Sequence, residues 1–166
     1  MVKNPVDAVA TMNLIAIEVE QDPLHAAIIH AQRIDPQATG ADAISAAART
    51  VAETLDLAAI VCYTPTGSTA LRAARERPQQ PILALTPIPR TARKLTIVWG
   101  QHCVLADDPF SLDDMVSKAC RIAYQEGFAK AGEQVIVTAG VPLGKSGSTN
   151  LLRIAEVDPT EDVDIP

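Results

Sequence analysis

Ala58-Ala59-Ile60-Val61-Cys62-Tyr63-Thr64-Pro65-Thr66-Gly67-Ser68-Thr69 is the stretch that decides the fold. Its first half is an apolar run of strand length, its second half a short hydroxyl-rich loop. Ala70-Leu71-Arg72-Ala73-Ala74-Arg75 then reads as a helix. A strand feeding a loop and a helix start makes an anion site, because the first N–H groups of a helix lack partners and carry the positive end of its dipole. Three threonines and a serine in Thr64–Thr69 add hydroxyl donors suited to phosphate. A plainer alternative is a helix start whose hydroxyls satisfy only their own backbone. Four hydroxyls crowded around a glycine favour the anion. The stretch carries no nucleophile, base or metal cage.

Outward from this stretch the same alternation repeats. Upstream, Ile44, Ala47, Ala48, Val51 and Leu55 form one stripe of a helix. Downstream, Pro78 closes the helix, and Pro81-Ile82-Leu83-Ala84-Leu85 is a buried strand. A short helix spans Pro89 to Leu95, and His102 to Leu105 gives a third strand. Ser111 reads as the N-cap of a long helix to about Glu126, with Asp113 and Asp114 in its first turn and Gly127 as its stop. Gln134 to Thr138 and Leu151 to Val157 are the last strands. Short apolar strands between amphipathic helices predict a three-layer α/β fold, with a mostly parallel five-stranded sheet and helices on both faces. The final pair has no helix between its strands, so the last strand is expected antiparallel.

The amino-terminal part stands apart. Asn4-Pro5-Val6-Asp7 is a helix start, with Asn4 able to cap, and Val9, Met12, Ala16 and Val19 recur at helical spacing through about Gln21. Leu24 to Gln32 is a second short helix or connector. Asp35-Pro36 breaks the pattern, which gives three segments: 1–33, 34–157 and an acidic, mobile tail at 158–166.

Composition narrows the classes. A chain of 166 residues, 48% apolar with only 3% aromatics, suits one domain of closely packed helices on a sheet. The formal charge of −6 and the absence of a basic cluster argue against nucleic acid as a partner. Cys62, Cys103 and Cys120 are an odd, scattered set, read as reduced thiols of a cytoplasmic protein. No membrane-length apolar run or signal peptide is present, so no membrane role is expected.

The loop from Gly140 to Asn150 contains Gly144-Lys145-Ser146, which invites a nucleotide-cradle reading. The spacing fails, since Gly140 and Gly144 enclose three residues where that motif needs four, and a strand rather than a helix follows. A flexible turn and the second wall of a phosphate pocket both stay open. The loop and Thr64–Thr69 leave strand carboxyl ends, the edge where ligands bind in such sheets. Lys118, Arg121 and Arg153 are candidate ligand charges, with solvated faces as the plainer reading. His25, His30 and His102 share no metal or base spacing. Trp99-Gly100 reads as packing, and Asp107-Asp108 and Asp113-Asp114 as loop polarity and helix-dipole complement.

Taken together, the segments resemble the C-terminal domain of pyruvate kinase. The resemblance rests on Ala59 to Ala70, Ala74-Arg75-Glu76-Arg77-Pro78, Pro81 to Thr86, Thr91-Ala92-Arg93, Trp99-Gly100, Ala139 to Pro142 and Gly147 to Leu151. Pro5 to Asn13 looks like the last helix of that family's catalytic barrel. The resemblance implies a regulatory and assembly domain of a glycolytic enzyme that transfers a phosphoryl group from phosphoenolpyruvate to ADP. The barrel residues that carry the chemistry, and its magnesium and potassium, are not in this sequence, so no catalytic or metal-binding residue is expected here and the chain alone should be inactive. The family's effector loop matches Thr64, Thr66, Gly67, Ser68 and Thr69, and its closing loop matches Lys145, Ser146 and Gly147. Met115 stands where some fructose-bisphosphate-regulated members have arginine, which favours a monophosphorylated sugar or AMP as effector. The implied partners are the barrel domain and further copies of the chain in a tetramer. The competing expectation is a stand-alone sensor of a sugar phosphate or nucleotide monophosphate.

Overall fold

The computed structural model describes residues 4–32, 35–143 and 148–158. The chain divides into two compact units, Met1–Asp35 and Pro36–Pro166. The first holds helices α1 (Pro5–Gln21) and α2 (Pro23–Ala31). Pro5 occupies the first turn of α1 as expected, but Asn4 does not cap the helix; its side-chain amide donates to the Asp7 carboxylate instead. No residue of α1 is buried, and Val9, Met12 and Ile15 all lie exposed. Residues 159–166 of the acidic tail lie outside the described residues.

The second unit is the α/β sandwich. Its elements run α3 (Gly40–Leu55), β1 (Ala59–Tyr63), α4 (Ser68–Arg75), β2 (Ile82–Thr86), α5 (Pro89–Leu95), β3 (Gln101–Leu105), α6 (Leu112–Gln125), β4 (Gln134–Gly140) and β5 (Thr149–Glu156). The sheet order is β3-β2-β1-β4-β5, parallel except for the β4–β5 pair. Ile60 of β1 stands opposite Ile82 on one side and Ile136 on the other. β1 and β2 are buried along their whole length, which is why they read as unbroken apolar runs rather than as alternating strands.

Alternate residues of β1 point into different cores. Ile60 and Cys62 pack with Ala48, Ala52, Ala70 and Ala73 of α3 and α4. Val61 and Tyr63 pack with Met115, Ala119 and Ala123 of α6. The many alanines thus have a packing role: small side chains let three helices lie close on the sheet. Thr39 caps α3 and Ser111 caps α6, each hydroxyl accepting the backbone N–H three residues on. Gly127, with φ 76°, follows α6 in the left-handed region that glycine enters freely.

The last two strands are slightly longer than their apolar runs. β4 runs to Gly140 and β5 begins at Thr149, pairing Gly140 with Thr149 across a register irregularity.

Candidate functional site

β1 has β2 on one side and β4 on the other; α4, which follows β1, packs on one core, and α6, which leads into β4, packs on the other. The carboxyl ends of β1 and β4 therefore flank a switch point, where the two connections diverge and leave a crevice. A cavity of about 270 Å³ lies there. Its walls come from the Tyr63–Thr69 segment, Asp108 and Pro109 after β3, Ala139, Gly140 and Leu143, and Ser148 and Thr149.

Thr64, Thr66, Ser68 and Thr69 all line this cavity. Gly67 sits behind them at φ 88°, and a Cβ there would come within 3.3 Å of Leu95 Cδ2. The loop is held from outside: the Thr91 hydroxyl donates to Pro65 O at 2.8 Å, and Thr64 N donates to Leu85 O at 2.9 Å. Gly67 occupies the cap position of α4, and no side chain caps that helix. The Thr66 hydroxyl donates to Ser68 Oγ at 3.3 Å, whereas the buried Thr64 Oγ1 has no hydrogen-bond partner among the described residues.

The two loops singled out from the sequence meet. Thr69 Oγ1 and Thr149 Oγ1 lie 2.8 Å apart, both buried. Gly140 packs against Ser148 so closely that a Cβ would come within 2.8 Å of its Oγ. The Asn150 side chain closes the turn, accepting from Val141 N and donating to Val141 O. Lys145, Ser146 and Gly147 lie outside the described residues.

Two lining residues went unnoticed as site candidates from sequence. Tyr63 ends an otherwise aliphatic strand, and its buried hydroxyl has no partner among the described residues. Burial first, then the negative charge of Asp114, push this phenol well up, outweighing the nearby Arg121. Asp108, read from sequence as loop polarity, forms part of the cavity wall. A tyrosine at a strand's carboxyl end was the available signal for the first; the second depends on how the β3–α6 loop crosses the sheet edge.

The other candidates lie elsewhere. Lys118 pairs with Asp114 at 2.8 Å and Arg153 with Asp113 at 3.5 Å, while Arg121 is exposed on α6; none lines the cavity. His102 pairs with Glu126 at 2.8 Å. Arg77 stacks over Trp99 at 4.5 Å, a packing contact. Cys62 is buried, with its thiol pushed up to about 11 by burial although the Thr138 hydroxyl beside it acts in the opposite sense. Among the described residues no group of three or more His, Cys, Asp or Glu side chains could hold a metal ion, and no helix is long and apolar enough to cross a membrane.

The second unit is thus a three-layer α/β domain with a hydroxyl-lined crevice at its switch point. The pattern described as "Pyruvate kinase, alpha/beta domain" matches residues 42–155. The pyruvate kinase of Methylorubrum extorquens is 48% identical over 153 residues, covering 92% of this chain and 32% of that protein. Those of Clostridium acetobutylicum and Geobacillus stearothermophilus are 36% and 39% identical, covering 93% and 90% of this chain but 33% and 26% of their own lengths. This chain belongs to the pyruvate kinase family and carries its C-terminal α/β domain. It spans about a third or less of the relatives it matches.

Proposed function

We propose that this chain is the regulatory and assembly part of a pyruvate kinase, and that it binds a phosphorylated effector on the Thr64–Thr69 loop. Phosphoryl transfer, with its magnesium and potassium, would belong to a barrel domain, since such transfer needs a cationic clamp and no lysine or arginine is among the described residues lining the cavity. The observation that carries the reading is the uncapped start of α4, aimed into a crevice lined by Thr66, Ser68 and Thr69. Free backbone N–H groups, a positive dipole end and hydroxyl donors together favour a phosphate. The exposed apolar residues of α1 support a further partner, since Val9, Met12 and Ile15 would find cover against a barrel. Assembly into a homo-oligomer and a cytoplasmic setting belong to the same proposal.

The test is calorimetric titration with ribose 5-phosphate, AMP and glucose 6-phosphate, on this chain and on Thr66→Ala combined with Ser68→Ala. Saturable binding to the parent that weakens at least about tenfold in the double variant is expected, because two charge-assisted hydrogen bonds are removed. Binding that the double variant retains in full would move the effector off this loop.

A further inference from the structure

We propose that the outer face of α5 is a docking surface for the acidic carboxyl-terminal segment of this same chain, residues 159–166. Lysine and arginine are unevenly spread along the sequence. Six of the fourteen lie in residues 57–106, where Glu76 is the only acid; the rest of the chain holds eight against nineteen acids.

Half of the six are already engaged. Arg72 and Arg75 hold Asp42, and Arg77 lies over Trp99. Arg90, Arg93 and Lys94 are different: all three are exposed, and none meets a carboxylate among the described residues. They stand at i, i+3 and i+4, on one face of the helix, while Thr91 and Leu95 turn inward. Like charges at this spacing repel, so an anionic neighbour relieves the row. The row opens to solvent and none of it lines the crevice at the switch point. It therefore suits a run of carboxylates laid across it, not a small ion enclosed by a pocket.

Charge and reach select the occupant. Glu161, Asp162 and Asp164 lie in a stretch without lysine or arginine. Val157 N donates to Glu133 O just before β4, so the chain leaves the sheet at the edge where β4 begins. The parallel strands β2 and β3 begin at that same edge, and α5, which leads into β3, brings Lys94 to it. Helix α5 packs on β2 and β3, which the sheet order places beyond β4 and β1 from β5; at the usual strand spacing that is about 14–19 Å. An extended chain advances roughly 3.3 Å per residue, which carries Glu161 to Asp164 about 10–20 Å past Asp158. Arg77, exposed just before β2, stands along the same edge. Exposed ion pairs are weak singly, but a tethered segment meets the row at high effective concentration. The nineteen acids elsewhere disfavour a long external polyanion.

The experiment is zero-length carbodiimide cross-linking of the full chain at low salt, followed by peptide mapping of the new lysine–carboxylate amides. Lys94 should be joined to Glu161, Asp162 or Asp164 in a product of monomer mass. Lys130 is the internal reference, because it lies beside Gly132, whose N–H donates to Val157 O where the segment begins. A segment with no seat would mark Lys130 more than Lys94. The Lys94 link should fall at least about fivefold in roughly 0.5 M salt, which screens exposed charges. It should fall similarly in Arg90→Gln combined with Arg93→Gln, a variant that keeps Lys94 and should keep the parent's thermal midpoint. Links that favour Lys130, or Lys94 links indifferent to salt, would overturn the proposal. Lys94 links found only at dimer mass would overturn it too, and would give the face to a second copy.

Discussion

The two ends of α4 treat polar groups in opposite ways. At its carboxyl end Arg72 and Arg75, three residues apart on one face, reach the Asp42 carboxylate at 3.0 and 3.2 Å. Glu76 joins through Arg75 at 3.3 Å, and Arg49 holds Glu53 at 2.8 Å. Single nitrogens of Arg49 and Arg72 go unbonded there, but each guanidinium is anchored through another. At the amino end no side chain caps the helix and the Thr64 hydroxyl has nothing to bond among the described residues. One end is closed upon the domain, tying α4 to α3; at the other, Ser68 and Thr69 of the first turn line a cavity. Buried polar groups that serve stability are paired, so the difference separates scaffold from site within a helix of eight residues.

The largest expected effect comes from breaking the closed end. Asp42 is 2% exposed and also accepts from Gln37 N. Burial alone would raise its carboxyl, but the hydrogen bond and charge of Arg75, with Gln37 N and Arg72, hold it below the usual carboxylate range. A depressed carboxyl contributes stability that is present above its unfolded pKa, near 3.9, and lost as pH falls through the folded value. Asp42→Asn should therefore lower the thermal midpoint at neutral pH more than any substitution at the open end of α4, and should remove part of the acid limb below about pH 4. An unchanged midpoint and an identical acid limb would mean that the cluster is surface decoration.

The seam between the two loops comes next. Thr69→Val leaves the buried Thr149 hydroxyl without its partner at 2.8 Å, a loss of about 1–3 kcal/mol in denaturant unfolding. Thr69→Val with Thr149→Val should recover most of it, since both polar groups are then gone. Simply additive losses would show that the hydroxyls do not depend on each other.

How much of this was legible in the sequence follows from range. The strand–loop–helix at Ala58–Arg75, the caps of α6 and the antiparallel last pair depend on neighbours along the chain, and local pattern found them. Asp42 and Arg72 lie 30 residues apart, and no local pattern announces their bond; only the i, i+3 arginines hinted at a common partner. β5 starts earlier than its apolar run because Thr149 is fixed by Thr69, a bond spanning 80 residues. Asp108 failed for the same reason: a polar residue in a loop reads as solvated until the sheet order brings that loop to β1. Thr64–Thr69 could be read because strand, glycine and hydroxyls are contiguous, whereas Tyr63, which lines the same cavity, was absorbed into the strand it ends.

The smallest expected effect sharpens the comparison most. Thr64→Val removes a hydroxyl that is 1% exposed and unpartnered among the described residues, and puts a methyl of nearly the same size in its place. At the closed end such a loss would orphan a neighbour; at the open end it orphans nothing, and the desolvation of an unused polar atom is relieved. Stability in denaturant should stay level or rise by up to about 1 kcal/mol. A fall in stability of more than about 1 kcal/mol would mean that the hydroxyl already has a bonded partner. In that case the amino end of α4 would be as fully paired as its carboxyl end.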